Sequence, residues 1–445
     1  MLQETRNTFY DAFIKALEYL NSPELKMKEW MEKIVEVLNS PMDGQSKTKE
    51  LALLELRFKE FFESDMAGNV WTQFKHKNRK AFDLISSCRD EKKLRSIALE
   101  KVTEPSNVSA FSPWLTKFSK FHTNISHPFS EQEHQVTIVD VDSGLLIMNS
   151  LRRPKRIIIQ LSDKRSCKVL VKNGEDLRLD QRIQQLFELC NGILRKNPKT
   201  RSFSLRTFQV KPMTSNLGLI EWIDETKPLK ESIEVAHGNL DDFAKSKFEY
   251  HNWVNSKYKG FHDMFIKAKQ EEVLRIYEKC QSRFENNSLL RKHFWKICND
   301  PESFLNIKLQ FSNSLATMNI CHYLLGIGDR HLDNFLLDGM NGELIGIDFG
   351  HAFGSATEVL PVPEMVPFRF TPQIKGVFQP FKAECFLHAS MTAILQGTIC
   401  ITDRASETQA FATDSHGYFY QGASFRLEKI CHSKDEDIQG RSFIL

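Results

Sequence analysis

The chain has 445 residues, enough for two or three domains, and its 41% hydrophobic and 26% charged content is that of a globular protein. A formal net charge of +3 is too small to imply nucleic-acid binding without a local basic stripe, and the nine cysteines carry no Cys-x-x-Cys or His–Cys metal spacing. No apolar run approaches bilayer length and the first residues lack a secretory signal, so the expectation is a soluble intracellular protein with reduced thiols.

The first hundred or so residues read as amphipathic helices. Phe9, Phe13, Ala16, Leu17 and Leu20 recur at helical spacing until Asn21-Ser22-Pro23 interrupts them. Met27, Trp30, Met31, Ile34 and Leu38 form a second stripe, Leu51, Leu54, Phe58, Phe61 and Phe62 a third, and residues 71–85 a fourth. Short polar breaks between them predict an antiparallel bundle with mostly core aromatics. Residues 100–135 read as irregular. The period then changes. Residues 136–139 and 145–148 predict short strands around Asp142-Ser143-Gly144, and 156–160 with 167–172 predict a hairpin. The hairpin loop has no glycine, so its backbone is expected to avoid positive φ; Ser162 offers it one hydroxyl. Leu179, Ile183, Leu186 and Cys190 mark one face of the next helix, with Asp180 on its first turn. Residues 217–223 predict a buried strand running into a connector, and the chain beyond is mainly helical to Leu325. Within it, 245–269 is rich in Lys, Tyr and Phe and reads as a solvated insertion. A helix through Phe311, Leu315, Met318 and His322 leads into the most informative stretch.

That stretch is Gly328-Asp329-Arg330-His331-Leu332-Asp333-Asn334, followed by Ile347-Asp348-Phe349-Gly350. In phosphoryl transfer by kinases an aspartate accepts the substrate hydroxyl proton, while an asparagine and the aspartate of Asp-Phe-Gly hold magnesium. The usual loop runs His-Arg-Asp with the asparagine five positions after the aspartate. Here the order is Asp-Arg-His, and Asn334 still lies five positions after Asp329. Asp329 is therefore the candidate base, and Asn334 and Asp348 are candidate magnesium ligands with hard oxygen donors. His331 reads either as a donor to the γ-phosphate or as a structural histidine, and Asp333 as a solvated carboxylate. Lys172, at the end of an apolar strand, is the candidate contact for the α- and β-phosphates, with Glu175 and Asp180 as nearby carboxylate partners. For the adenine, Glu221, Trp222 and Ile223 supply backbone groups and a ring, and Leu170, Leu336 and Ile347 supply apolar walls.

The reversed loop resembles that of the phosphatidylinositol 3-kinase-related protein kinase family. So do Leu151-Arg152-Arg153-Pro154-Lys155-Arg156-Ile157-Ile158-Ile159, Val171-Lys172-Asn173-Gly174-Glu175-Asp176-Leu177-Arg178 and Ile345-Gly346-Ile347-Asp348-Phe349-Gly350-His351-Ala352-Phe353-Gly354-Ser355-Ala356-Thr357. The likeness is dense from about Leu151 to Thr371, thinner before Ser150, and fades after about Thr398. It implies an α+β, bilobal protein kinase-like fold of the PI3/PI4-kinase type preceded by a helical bundle. The expected divisions are a helical FAT-end/FRB-like module at 1–122, an N-lobe at 123–222, a C-lobe with catalytic and activation loops at 223–398, and a divergent tail without a FATC cap at 399–445.

The resemblance further implies ATP and Mg2+ as cofactors and protein Ser/Thr, including Ser/Thr-Gln, as substrate. It implies nuclear work in double-strand break repair by non-homologous end joining, no membrane, and the Ku heterodimer and DNA ends as partners through regions absent from this chain. It makes Asp180 the first and Glu175 the second partner of Lys172. One departure stands out: Phe208 occupies a place where relatives often carry a tyrosine whose hydroxyl bonds that aspartate. From Asp348 to Phe368 there is no Lys or Arg, while Glu358 and Glu364 are present, which favours a peptide over an anionic lipid headgroup. Two rival readings stay open: an inactive or truncated fragment of such a kinase, and a phosphoinositide lipid kinase.

Overall fold

In the computed structural model the described residues are 2–20, 33, 36–37, 40–62, 107–112, 114–121, 125–129, 136–148, 150, 152–282, 288–360, 368–380 and 387–396. They belong to two compact units, Met1–Gln181 with Phe208–Trp222, and Arg182–Thr207 with Ile223–Leu445.

In the first unit, α1 (Leu2–Glu18) buries Phe13, Ala16 and Leu17, with Leu20 just beyond its end, as the helical spacing predicts. Helix α2 (Gly44–Phe62) follows Asp43, whose carboxylate accepts the Ser46 N–H at 2.8 Å. All five residues of the second predicted stripe and all of the fourth lie outside the described residues. The stretch read as irregular is partly ordered. It forms 3-10 turns at Val108–Ala110 and Leu115–Phe121 and gives Val108, Phe111, Leu115 and Phe118 to the core.

The sheet of this unit is built from β1 (Ile138–Val141), β2 (Leu146–Ile147), β3 (Lys155–Leu161), β4 (Ser166–Asn173), β5 (Val210–Pro212) and β6 (Leu217–Glu221). Its strand order is β1-β3-β4-β6-β5, with β2 also on β3, and every pair is antiparallel. Alternation assigns the two faces. Ile157, Ile159, Val169, Val171, Leu217 and Leu219 are buried in one core with Phe13, Leu17, Val108 and Phe111. The other face follows from the register: Arg156 lies opposite Leu170, Leu170 opposite Ile220, and Lys172 opposite Gly218. At Gly218 a Cβ would come within 2.5 Å of Leu177 Cδ1, so this strand position admits no side chain without movement.

Helix α3 (Arg178–Lys196) begins in the first unit and continues in the second. Its buried positions are Asp180, Ile183, Gln184, Phe187 and Leu194, while Leu179, Leu186 and Cys190 are half-buried. The face is therefore rotated from the predicted one, because Phe187 has aromatic partners in His322 and Phe349. After β7 (Thr226–Pro228) come α4 (Leu229–His237), α5 (Leu240–Lys257), α6 (Phe261–Lys267), α7 (Gln270–Gln281) and α8 (Leu289–Ile297). The lysine- and aromatic-rich insertion thus forms helices, which leave Phe248 and Ile266 exposed. Helix α9 (Pro301–Leu325) is the core of this unit. Asp300 caps it, accepting the Ser303 N–H at 2.7 Å, and Gly326 ends it at φ 59°. A small sheet, β7-β8-β9, with β8 (Phe335–Asp338) and β9 (Leu344–Gly346), brackets the motif region.

Candidate active site

The first unit carries the candidate phosphate- and adenine-binding residues. Lys172 sits one residue before the end of β4 and is 12% exposed, with its Nζ 2.5 Å from Glu175 Oε2. Arg152 Nε lies 3.7 Å from the other Glu175 oxygen. The ion pair seen for Lys172 is thus with Glu175, the second of the two expected partners; Asp180 is buried on the first turn of α3. Gly174, at φ 80°, makes the turn that brings Glu175 back beside the lysine. Phe208 is buried.

The backbone N–H of Glu221 donates to Gln209 O at 2.9 Å, and that of Trp222 to Lys168 O at 3.1 Å. Both of these donors are therefore spent within the first unit. Ile223 O accepts the Thr226 hydroxyl at 2.9 Å. Leu170 is half-buried, and the Trp222 ring lies against Arg156, whose Cζ is 5.2 Å from the ring centre. The hairpin loop is tied to the strand beside it, with Thr137 N–H donating to Ser162 Oγ at 3.0 Å and Ser162 N–H to Thr137 O at 2.9 Å. Contrary to expectation it does adopt positive φ, at Lys164 (69°). Asp163 stabilises that turn by accepting the Arg165 N–H at 3.0 Å, against a cost of roughly 1–2 kcal/mol for a left-handed residue.

The second unit carries the candidate catalytic and metal-binding residues. Asp329 and Asp348 are both left-handed, at φ 56° and 59°. Such strain in non-glycine residues persists only where the surroundings hold it, and it gathers at functional loops. The holding group is Arg330, which is 3% exposed. Its Nε donates to Gly328 O at 2.8 Å, Nη1 to Ile347 O at 3.0 Å and Nη2 to Asp348 O, and its guanidinium lies 5.4 Å from the Phe349 ring centre. Asn334 adds a second lacing. Its Nδ2 donates to Asp329 O at 2.9 Å, and its backbone carbonyl accepts the Ile347 N–H at 3.1 Å. The structure thus brings together Asp329, Asn334, Ile347 and Asp348.

His331 and the Asp348 side chain face solvent, and Leu336 and Ile347 are half-buried. Asp333 is not simply solvated: it pairs with Lys230 at 3.0 Å. Among the described residues no three His, Cys, Asp or Glu side chains converge as a metal cluster. The donor chemistry of Asn334 and Asp348 fits magnesium, which takes few protein oxygens and keeps its other positions for water and phosphate. With Nδ2 of Asn334 spent on Asp329 O, the amide oxygen is the atom left to serve as ligand.

Two residues to which sequence reasoning gave no site role matter here. Arg330 was visible only as a letter between motif residues. His322, in the last turn of α9, is buried between the Phe187 and Phe335 rings, at 6.0 and 6.4 Å, and meets Phe349 edge-on. Burial, with the Arg330 charge adding to it, pushes its imidazole well below the ordinary histidine range.

A strand lysine paired with a carboxylate, and an Asp-Arg-His loop laced to an Asp-Phe-Gly turn, are the parts of a kinase-type fold. The model of the family "Phosphatidylinositol 3- and 4-kinase" matches residues 166–403, and the chain belongs to that family, in its protein-kinase-related group. It is 35% identical over 443 residues to the DNA-dependent protein kinase catalytic subunit of Dictyostelium discoideum, covering 88% of this chain and 10% of that one. To serine/threonine-protein kinase TOR of Oryza sativa subsp. japonica it is 30% identical over 287 residues, covering 63% of this chain and 11% of the relative. The solved structure of CtTel1 in its open conformation shares the fold with a TM-score of 0.59 at 22% identity, over 93% of this chain and 16% of that one. The chain therefore spans about a tenth of the length of these curated relatives. No helix among the described residues is long and apolar enough to cross a membrane.

Proposed function

We propose that this chain is the catalytic part of a serine/threonine protein kinase that transfers the ATP γ-phosphate to protein hydroxyls. The observation that carries the reading is the single buried Arg330 tying the Asp329 and Asp348 loops together, both aspartates being in left-handed backbone. Lys172 holds the α- and β-phosphates, kept charged and oriented by Glu175 and Asp180. For the adenine, Trp222 and Leu170 are the apolar contacts proposed from the first unit and Leu336 and Ile347 those from the second, with backbone groups from Glu221 and Ile223. Asp329 orients the acceptor hydroxyl and takes its proton. His331 donates to phosphoryl oxygen as negative charge builds there. Asn334 and Asp348 hold magnesium, which when bound neutralises charge on the phosphate oxygens.

The lack of Lys and Arg from Asp348 to Phe368 supports a peptide acceptor, since a phosphorylated inositol needs compensating cations and Glu358 and Glu364 repel it. The test is side-by-side radiolabel transfer from ATP to a Ser/Thr-Gln peptide and to phosphoinositide vesicles. Faster peptide labelling is expected. Faster lipid labelling overturns the protein-kinase reading, and no transfer to either leaves an inactive fragment.

The module boundaries at 122, 222 and 398 belong to this reading, as do nuclear residence and double-strand break repair with the Ku heterodimer and DNA ends. The repair role rests on the 35% identity to the DNA-dependent protein kinase catalytic subunit alone. Linear DNA with Ku should then stimulate peptide phosphorylation by the protein that carries this chain, and indifference to both would remove that role.

A further inference from the structure

The face of the first unit's sheet turned away from its core carries residues to which the kinase reading gives no task. Along antiparallel strands, residues directly opposite share a face, as do residues two apart on one strand. By that rule Arg156, Lys168, Leu170, Lys172, Ile220 and Trp222 lie on the same face, away from the core formed by Ile157, Ile159, Val169 and Val171. Three of the six are the proposed phosphate and adenine contacts. Of the other three, Arg156 and Lys168 are additional cations, and Arg156 is the one whose guanidinium meets Trp222.

Its surroundings say what it does. Arg156 Nε is buried and has no hydrogen-bond partner among the described residues, and no carboxylate is seen to pair with its guanidinium there. What the guanidinium does meet is the Trp222 indole, at 5.2 Å from Cζ to the ring centre. Stacking on an aromatic face is the natural compensation for a planar, weakly hydrated cation. The indole in turn is anchored at its own backbone, through Trp222 N–H to Lys168 O at 3.1 Å. Ring and backbone are thus both fixed from within the sheet, while the ring remains half-buried rather than enclosed.

We propose that Arg156 is a positioning residue for nucleotide binding: by covering one face of Trp222, it holds the indole ready to stack its other face on the adenine. The proposal rests on the kinase reading above. The gain is preorganisation, since a ring already ordered loses less freedom when the base arrives. Removing the contact should weaken binding about three- to tenfold, the range that a partly desolvated cation–π contact supplies.

The experiment measures equilibrium binding of Mg-ATP and of uncharged adenosine to the full chain, for the parent, Arg156→Met, Arg156→Lys, Trp222→Leu and the double variant Arg156→Met/Trp222→Leu. Arg156→Met should weaken ATP and adenosine by the same factor, because it acts through the base. Arg156→Lys should recover part of the loss, and the double variant should bind no more weakly than Trp222→Leu alone. Unchanged binding in Arg156→Met, additive losses in the double variant, or a loss for ATP without one for adenosine each overturns the positioning role; the last makes Arg156 a phosphate contact. If Arg156→Met does not fold, the comparison of Arg156→Lys with the parent, in both ligands and in both Trp222 backgrounds, decides the same question. A parent chain that binds no Mg-ATP overturns the kinase reading itself, and the proposal with it.

Discussion

Arg330 donates from Nη2 to the backbone carbonyl of Asp348, eighteen residues away in the chain. The bond meets Asp348 where its backbone is left-handed, and the same guanidinium reaches Ile347 O and Gly328 O, the last immediately before Asp329. One buried side chain therefore sets the positions of two loops that have no covalent reason to stay in register. A planar fork with several donors suits this task better than a point charge.

Replacing Arg330 with methionine keeps most of the volume and removes every donor. Three carbonyls then lose a partner, that of Gly328 buried and those of Ile347 and Asp348 partly so, and a buried unsatisfied group typically costs about 1–3 kcal/mol. The expected loss of stability is about 3 kcal/mol or more, read as a lower urea midpoint with unchanged slope. Arg330→Lys should restore only part of it. A methionine variant as stable as the parent would show that the loops hold each other without the arginine.

Asp348 and Asp329 are best tested as Asp348→Asn and Asp329→Asn, because asparagine tolerates left-handed backbone whereas alanine adds roughly 1–2 kcal/mol of strain. Each should leave the unfolding midpoint nearly unmoved. Peptide phosphorylation should fall by about 10²- to 10⁴-fold in Asp329→Asn, the usual worth of a positioned base, and Asp348→Asn should raise the magnesium concentration needed for half-maximal rate. Full activity in either variant removes that residue from the mechanism.

Much of this was legible beforehand, for physical reasons. The hairpin was legible because 156–160 and 167–172 are short runs rich in β-branched residues on either side of a polar loop, although Ile158 and Leu170 hide in the sequence the alternation that the structure shows. The loop aspartates were legible through spacing. The turns at 108–121 were not, because Ser112-Pro113 breaks the pattern that Val108, Phe111, Leu115 and Phe118 otherwise keep. The face of α3 was misplaced because Leu179 and Leu186 are as apolar as Phe187, and only a distant aromatic partner selects among them. Arg156 lay hidden in a run of basic residues, where one cation looks like the next.

The Lys172–Glu175 pair is short and partly enclosed, with side-chain exposures of 12% and 31%. It is therefore worth more than the fully exposed pairs that contribute at most about 1 kcal/mol. Glu175→Gln keeps the shape and removes the charge. The Michaelis constant for ATP should rise about fivefold as the lysine loses its orientation, with a smaller change in turnover. An unchanged Michaelis constant would leave Asp180 as the carboxylate that matters.

His322 makes the second unit sensitive to mild acid. Burial, and then the Arg330 charge, hold its folded-state pKa well below the ordinary value, while in the unfolded chain it titrates near 6.5. Between those two values the unfolded state binds a proton that the folded state refuses. Stability is therefore full above about pH 6.5 and declines as pH falls below it, by up to about 1.4 kcal/mol per pH unit for one proton. His293, also depressed by burial and by Lys227, acts in the same direction and needs its own control, His293→Gln. In His322→Phe the new ring meets the same Phe187 and Phe335 neighbours and carries nothing to titrate. Urea midpoints at pH 7.5 and 5.5 should differ for the parent and for His293→Gln, and differ clearly less for His322→Phe. Equal pH sensitivity with and without His322 would mean that the imidazole reaches a proton in the folded state, and that its depressed pKa is not the source of the acid lability.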